Sequence, residues 1–564
     1  MKKYILLLMM SCLAVFSSCE DYLDRDVETS QNEHIVFSSY ANAVSVAYSV
    51  YGDLPQGLTE IDGTAMMASA SDEAEFTIQT NNIQKFNTGS WLPTDMPDNP
   101  FNKYYAAIRK VYNFLDNADK INFDDVRDNP SQPGVYEKQL EDVRQLKHEV
   151  LLLRAFYMFE LIKRYGGVPI VKEKLDMSVD YATLKRNTLE ECVNEIVYWC
   201  DETAKVLPAK QPDAELGRLT SGAAKALKSQ VLLFAASELW NNSSWAGGYA
   251  HPELVSLPAG DRNTRWKAAA DAAKEVIDMA GTGYALDTYG NLYGTTAFKS
   301  KEIIFCRRDA KSNAFEKANL PISYDGVTGG NCPSQNLVDA FQMKDGTDFD
   351  WSNPEHASNP YANRDPRLNT FILLNNVWFK ARNVECWTGG IDGAGVRNAT
   401  PTGYYIKKFV YQWSDLTKNE SSVHTWIYTR LAEIYLNYIE ALNEYDPGNG
   451  DIKKYYDMIR SRKGVDMPGL PEGLSQDAVR KLIRQERCVE LCFEGKRWFD
   501  LRRWMDADAL AQPLRAVEIT KTDDGFTYKP YELEKRVFDA KMYFYPIPQT
   551  ELNKLPGWEQ NPLW

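Results

Sequence analysis

The sequence predicts a mainly α-helical fold of stacked helical hairpins with one long loop-rich interruption, and three features predict it. Apolar residues recur at helical spacing in stretches 36–51, 101–119, 139–165, 188–206, 219–239, 265–279, 424–444, 451–462 and 475–493. Many of these come as pairs, a helix, a short turn and a second helix. Tyr, Ala and Leu alternate in them as large and small residues, as facing helices require. Between about 281 and 423 the stripes thin out, and glycine, proline, asparagine and aromatic residues cluster instead. The predicted architecture is therefore a TPR-like helical-hairpin scaffold carrying a loop-rich variable insertion with short strands, although no strict repeat period survives.

The elements follow in order. Lys2 and Lys3 precede an apolar run from Tyr4 to Phe16, then Ser17, Ser18 and Cys19. The run is too short to span a bilayer, which takes about 20 apolar residues. Small residues before a cysteine suit a lipoprotein signal peptidase, so residues 1–18 read as a signal peptide and Cys19 as the lipidated first residue. Residues 19–35 begin Cys-Glu-Asp-Tyr-Leu-Asp and read as an acidic tether. They do not form the basic amphipathic face that would lie flat on lipid.

Residues 36–280 form the N-terminal helical part. Within it Leu146, Val150, Leu153, Tyr157 and Leu161 share one helix face, and Gly166-Gly167-Val168-Pro169 ends that helix. Trp199 and Trp266 fall on helical stripes and read as core. Residues 281–423 form the variable region, with Glu302–Phe305 strand-like and Trp351, Trp378, Trp387 and Trp413 in loops. Residues 424–564 form the C-terminal part, and residues 36–564 are expected to fold as one compact body. In that last part Glu486, Glu490 and Glu494 step by four, interleaved with Arg484 and Arg487. Such a ladder ties a helix to its neighbours, with Arg497 or Arg502 as the expected bidentate partners. Trp498, Phe499 and Trp504 read as core aromatics.

Charge and motif content exclude several functions. The formal charge of −14 becomes −16 without residues 1–18, which is wrong for a chain that must neutralise phosphates, so no nucleic acid is expected. Seven cysteines remain after Cys12 and Cys19. None forms a Cys-x-x-Cys pair, and only five histidines exist, which argues against a zinc site. Few or no disulfides are expected, and Cys488 and Cys492 read as small apolar packing groups. No cofactor or metal is expected. Walker, Gly-x-Gly-x-x-Gly, His-Glu-x-x-His and Gly-x-Ser-x-Gly motifs are missing. A glycosidase needs only two carboxylates, but this chain lacks the strand framework that usually carries them. Binding is the better reading, and no catalytic residue is assigned.

Several segments taken in order resemble the SusD/RagB family. They are Ser18-Cys19-Glu20-Asp21-Tyr22-Leu23-Asp24, Leu153–Tyr157 with Arg164–Pro169, Arg364-Asp365-Pro366-Arg367, Arg430–Leu436 with Glu440-Ala441-Leu442, Arg484–Arg487 with Glu494–Trp504, and Tyr545–Pro548 with Gln560–Pro562. The resemblance implies a lipid-anchored protein on the outer face of the outer membrane. Such a protein caps a SusC-like TonB-dependent β-barrel and delivers captured glycan, or in some members peptide, to it. Sugars stack on aromatic rings and bond to Asp, Asn and Arg, so ligand-binding candidates are aromatics off the helical stripes with polar neighbours. These are Trp91, Tyr324, Trp378, Trp387, Tyr404 and Tyr405, with Asp72, Glu73, Asn331 and Arg382 as polar partners.

Overall fold

A computed structural model describes residues 36–175, 183–324 and 326–564. The signal segment, Cys19 and the tether lie outside the described residues. Helices of seven or more residues are α1 (Tyr40–Tyr51), α2 (Phe101–Leu115), α3 (Val135–Tyr165), α4 (Leu189–Ala204), α5 (Ser221–Ala236) and α6 (Arg262–Ile277), then α7 (Leu431–Tyr445), α8 (Gly450–Arg460), α9 (Gln476–Glu490) and α10 (Arg497–Arg503). From α1 to α6 each packs on the next, because one apolar stripe per helix needs a neighbour to cover it. After the insertion the chain returns, and α7 packs on α6 as though no interruption had occurred, with α8 and α9 both against α7. Buried Ala269, Ala270, Ala272 and Ala273 let α5 and α7 both approach α6 closely.

Local chemistry sets the helix ends. Ser39, Thr188, Thr220, Asp261 and Ser475 each accept a first-turn N–H, and Thr188 with Glu191 completes a capping box. Gly166, at φ 72°, stops α3, and a Cβ there would sit 2.3 Å from the Leu254 carbonyl oxygen. Only glycine fits both demands.

Most strands are short, the exceptions being the nine-residue Leu514–Thr522 and the ten-residue Gly525–Glu534, and all the strand pairings are antiparallel. They are β1 (Ala74–Phe76), β2 (Ile303–Arg308), β3 (Asn331–Pro333), β4 (Ile372–Leu373), β5 (Trp378–Phe379), β6 (Arg382–Asn383), β7 (Tyr405–Ile406), β8 (Thr425–Arg430), β9 (Leu514–Thr522) and β10 (Gly525–Glu534). The pairs are β1–β3, β2–β8, β4–β7, β5–β6 and β9–β10. One expectation is corrected here: the stripe 424–444 is not helical throughout, because Thr425–Arg430 is strand β8. All six of its residues are buried. An apolar run covered on both faces has the same spacing as a buried helix segment, and only its Thr, Trp and Ile content favours a strand.

The carboxylates Glu486 and Glu490 of α9, with Glu494 in the turn that follows it, face inward and join scaffold to insertion. Glu490 accepts from Arg430 at 2.7 Å, Arg367 at 3.0 Å and the Tyr289 hydroxyl at 2.6 Å. Glu494 accepts from Lys408 at 2.7 Å and Arg430 at 2.9 Å, and Glu486 pairs with Arg367 and Arg460. Burial raises the carboxyl of Glu494, but Arg430 and Lys408 outweigh it and hold it at about 2. The partners therefore differ from those expected. Arg497 instead grips Asp72 through two bonds of 2.8 Å, while Arg502 stacks on Trp498 and Tyr545 and donates to the Tyr543 carbonyl. Arg367 and Lys408 belong to the insertion, and no spacing rule along α9 points to them. Among the described residues all seven cysteines are free and buried, and Trp498, Phe499 and Trp504 are buried as core.

Candidate ligand-binding face

The hairpin β5–β6 turns at Lys380, which adopts φ 56°. Trp378 pairs with Asn383 and Phe379 with Arg382. Successive strand residues point to opposite faces, so one aromatic must go in and the other out. Phe379 is the buried one, edge-on to Tyr324 at 5.7 Å. Trp378 stands outside at 67% exposure. An exposed ring of this size forgoes the roughly 1.5–3 kcal/mol that burying a large apolar side chain brings, which makes its placement informative. Exposed Asn376 and Asn383 lie beside it, with an amide–amide hydrogen bond of 3.0 Å between them.

The base of the hairpin is fixed. The Tyr324 hydroxyl donates to the Phe379 carbonyl at 3.1 Å. Arg382 lies 4.1 Å over the Tyr324 ring and forks onto Asp392. Lys380 reaches the next loop, where its Nζ donates to the Ser414 carbonyl at 2.8 Å. That loop carries Trp413, 69% exposed, and the partly exposed Tyr411. The loop is itself pinned, because the Tyr411 N–H donates to the buried Glu316 carboxylate at 2.9 Å. Two exposed indoles thus stand on adjoining, tethered segments, with amides beside Trp378. This is the chemistry a sugar ring needs, an apolar face flanked by hydrogen-bonding groups.

The other sequence candidates scatter. Trp387 is half-buried, packed on Phe526 at 5.2 Å with Lys521 at 4.7 Å over its ring, so it belongs to the neighbouring β9–β10 hairpin. Tyr404 and Tyr405 are buried and donate to Gln335 and to the Asp392 carbonyl. Asn331 is buried on β3, where it accepts from the Met66 N–H and the Ser69 hydroxyl. Trp91 is fully buried among Phe86, Tyr545 and Trp564. Asp72 is committed to Arg497. Glu73 is buried beside it, and burial together with the Asp72 charge pushes its carboxyl up to about 8. Of these groups Tyr404, Tyr405, Asn331, Trp91 and Glu73 are buried, and only Trp387 and Asp72 keep partial exposure. Polar neighbours in sequence do not distinguish a loop aromatic that plugs the core from one that faces water. Trp413, Tyr411 and Asn376 lie outside the sequence candidates, although Trp413, like Trp378, is a loop-region aromatic with polar neighbours.

Fold and face define the class: a helical-hairpin scaffold displaying a loop-built aromatic face. Residues 301–564 match the family model described as the SusD family, and residues 21–233 match the one described as starch-binding associating with outer membrane. The chain belongs to the SusD/RagB family. Carbohydrate binding and association with the outer membrane are thereby given at the level of the family.

SusD-like protein P2 of Formosa agariphila is 39% identical over 157 residues, which is 26% of this chain and 28% of that protein. A SusD-like protein of Bacteroides fragilis superposes with TM-score 0.77 at 24% identity, covering 95% of this chain and 99% of that one. A SusD-like carbohydrate-binding protein of the same species gives 0.74 at 22%, covering 92% and 99%. Surface glycan-binding protein A of Bacteroides uniformis gives 0.63 at 18%, covering 93% and 99%. These structures share the fold.

Proposed function

We propose that this chain captures oligosaccharide or polysaccharide at the cell surface and delivers it to a SusC-like TonB-dependent barrel, held to the outer leaflet by lipid on Cys19. It acts by binding, with no catalytic step. The pair Trp378 and Trp413, exposed on tethered loops, carries this reading. Family membership supports the carbohydrate class, and the signal-like residues 1–18 support the anchor.

The test is titration calorimetry of the purified protein against glycan and peptide panels. Trp378→Ala and Trp413→Ala are each expected to weaken glycan binding about 10- to 30-fold, as loss of a central aromatic contact does. Thermal stability should barely move, since surface substitutions stay within about 0.5 kcal/mol. Full affinity in both variants would sink the proposed face. Binding of peptides alone, weakened by salt, would replace glycan by peptide as the cargo. Cys19→Ala is expected to leave ligand affinity unchanged and to release the protein from the membrane fraction. A variant that stays membrane-bound would remove the lipid anchor from the reading.

A further inference from the structure

A second concavity has a different chemistry. A groove of about 330 Å³ lies between loop 209–218, residues 282–284 and residues 298–306. That volume is at the lower end of the roughly 300–1,000 Å³ typical of small-molecule sites. Its walls carry two half-buried aromatics, Tyr284 and Phe298, and also include Thr220 and Ser300. The lip is fixed by the Ala285 N–H, which donates to the Lys301 carbonyl at 3.2 Å.

The rim is cationic. Lys210, Lys299 and Lys301 all line the groove and are exposed. Arg308 adds a fourth charge, 4.0 Å over the Phe298 ring. Among the described residues none of the four has a carboxylate partner. Most nearby acids are already committed, the exposed Asp213 of loop 209–218 being an exception. Asp142, Glu149 and Glu215 converge on Arg218, and Asp287 takes the Ser300 hydroxyl and the Asn291 amide. Elsewhere the lysines of this acidic chain often pair, as Lys163, Lys228, Lys408 and Lys496 do. Like charges without ion pairs on one rim repel one another, and the local field at their ammonium and guanidinium groups favours an anion. A neutral sugar could accept hydrogen bonds from them but would gain no charge–charge attraction.

We propose that this groove binds the anionic substituent, carboxylate or sulfate, of an acidic saccharide, with a sugar ring against Tyr284 and Phe298. The word saccharide rests on the glycan-capture reading; the cationic rim is independent of the tryptophan face. The test titrates the purified full chain with hexagalacturonate, a chondroitin sulfate hexasaccharide and maltohexaose, in low and high salt (about 50 and 500 mM). At least one acidic oligosaccharide is expected to bind, and to lose about tenfold or more in affinity in high salt and in the triple variant Lys210→Gln, Lys299→Gln, Lys301→Gln.

The triple Lys→Arg variant should retain binding, and the response to maltohexaose should be the same in wild type and triple variant. Preference for the galacturonate assigns carboxylate recognition; preference for the sulfated probe assigns sulfate. The proposal is overturned if the triple Gln variant binds the acidic probes as wild type does, or if neither acidic probe binds. Titration of Trp378→Ala with Trp413→Ala separates the two sites. Full neutral-glycan affinity in that double variant defeats the tryptophan face alone, and acidic binding lost only in the lysine variant supports the groove.

Discussion

Arg430→Met is expected to destabilise the protein by about 3–5 kcal/mol, the usual cost of breaking a buried ion pair by removing one partner. Arg430 is fully buried where β8 runs into α7. Its five N–H groups are all used: on Glu494 twice, on Glu302, on the Glu490 carboxylate and on the Glu490 carbonyl. Methionine matches part of the volume and supplies none of the charge. The carboxylates left behind keep Arg462 and Lys408 but lose the group that bridges them.

Arg430→Lys should recover only part of the loss, because an ammonium cannot reproduce the guanidinium fork. The effect also has a pH signature. Glu494 has its carboxyl held at about 2 in the folded chain, below its ordinary range. Its contribution is therefore complete above about pH 4.5 and disappears as pH falls toward 2. Acid unfolding followed by circular dichroism should show a shallower decline across that window in Arg430→Met than in wild type. A loss below about 1 kcal/mol at neutral pH would show that the network is replaceable.

Trp91→Ala is expected to cost about 3–5 kcal/mol as well, by cavity formation in the core, with glycan affinity unchanged. Its ring centroid lies 5.1 Å from Phe86, 5.0 Å from Tyr545 and 4.8 Å from Trp564. The last two come from the C-terminal tail, so the indole holds that tail against the N-terminal part. Its Nε1 is buried and has no hydrogen-bond partner among the described residues, so Trp91→Phe surrenders no hydrogen bond seen there and should lose much less. Thermal unfolding and calorimetry on the same samples separate stability from binding. A Trp91→Ala protein as stable as wild type but impaired in glycan binding would return this residue to the ligand site.

Much of the scaffold was legible because helical periodicity is a local property. The stripe from Leu146 to Leu161 and the stop at Gly166-Gly167 need only near neighbours in sequence. The capping box at Thr188 and Glu191 is equally local. Strand β8 was misread because a strand buried on both faces has no alternation to reveal it. The ladder Glu486, Glu490 and Glu494 was legible as a tie between elements. Its partners were not, because Arg367, Lys408 and Arg430 lie 60 to 123 residues away.

For the candidate ligand face the division is sharper. By itself the sequence determined the helical scaffold, the signal-like N-terminus, the acidic charge, the likeness to the SusD/RagB family and the region where loop aromatics concentrate. Tertiary structure alone decided which aromatics face outward. Trp91, Tyr404 and Trp378 share the same local signals, but only in Trp378 does a strand pairing turn the ring away from the core. Exposure depends on what packs from distant segments, and no local pattern encodes that.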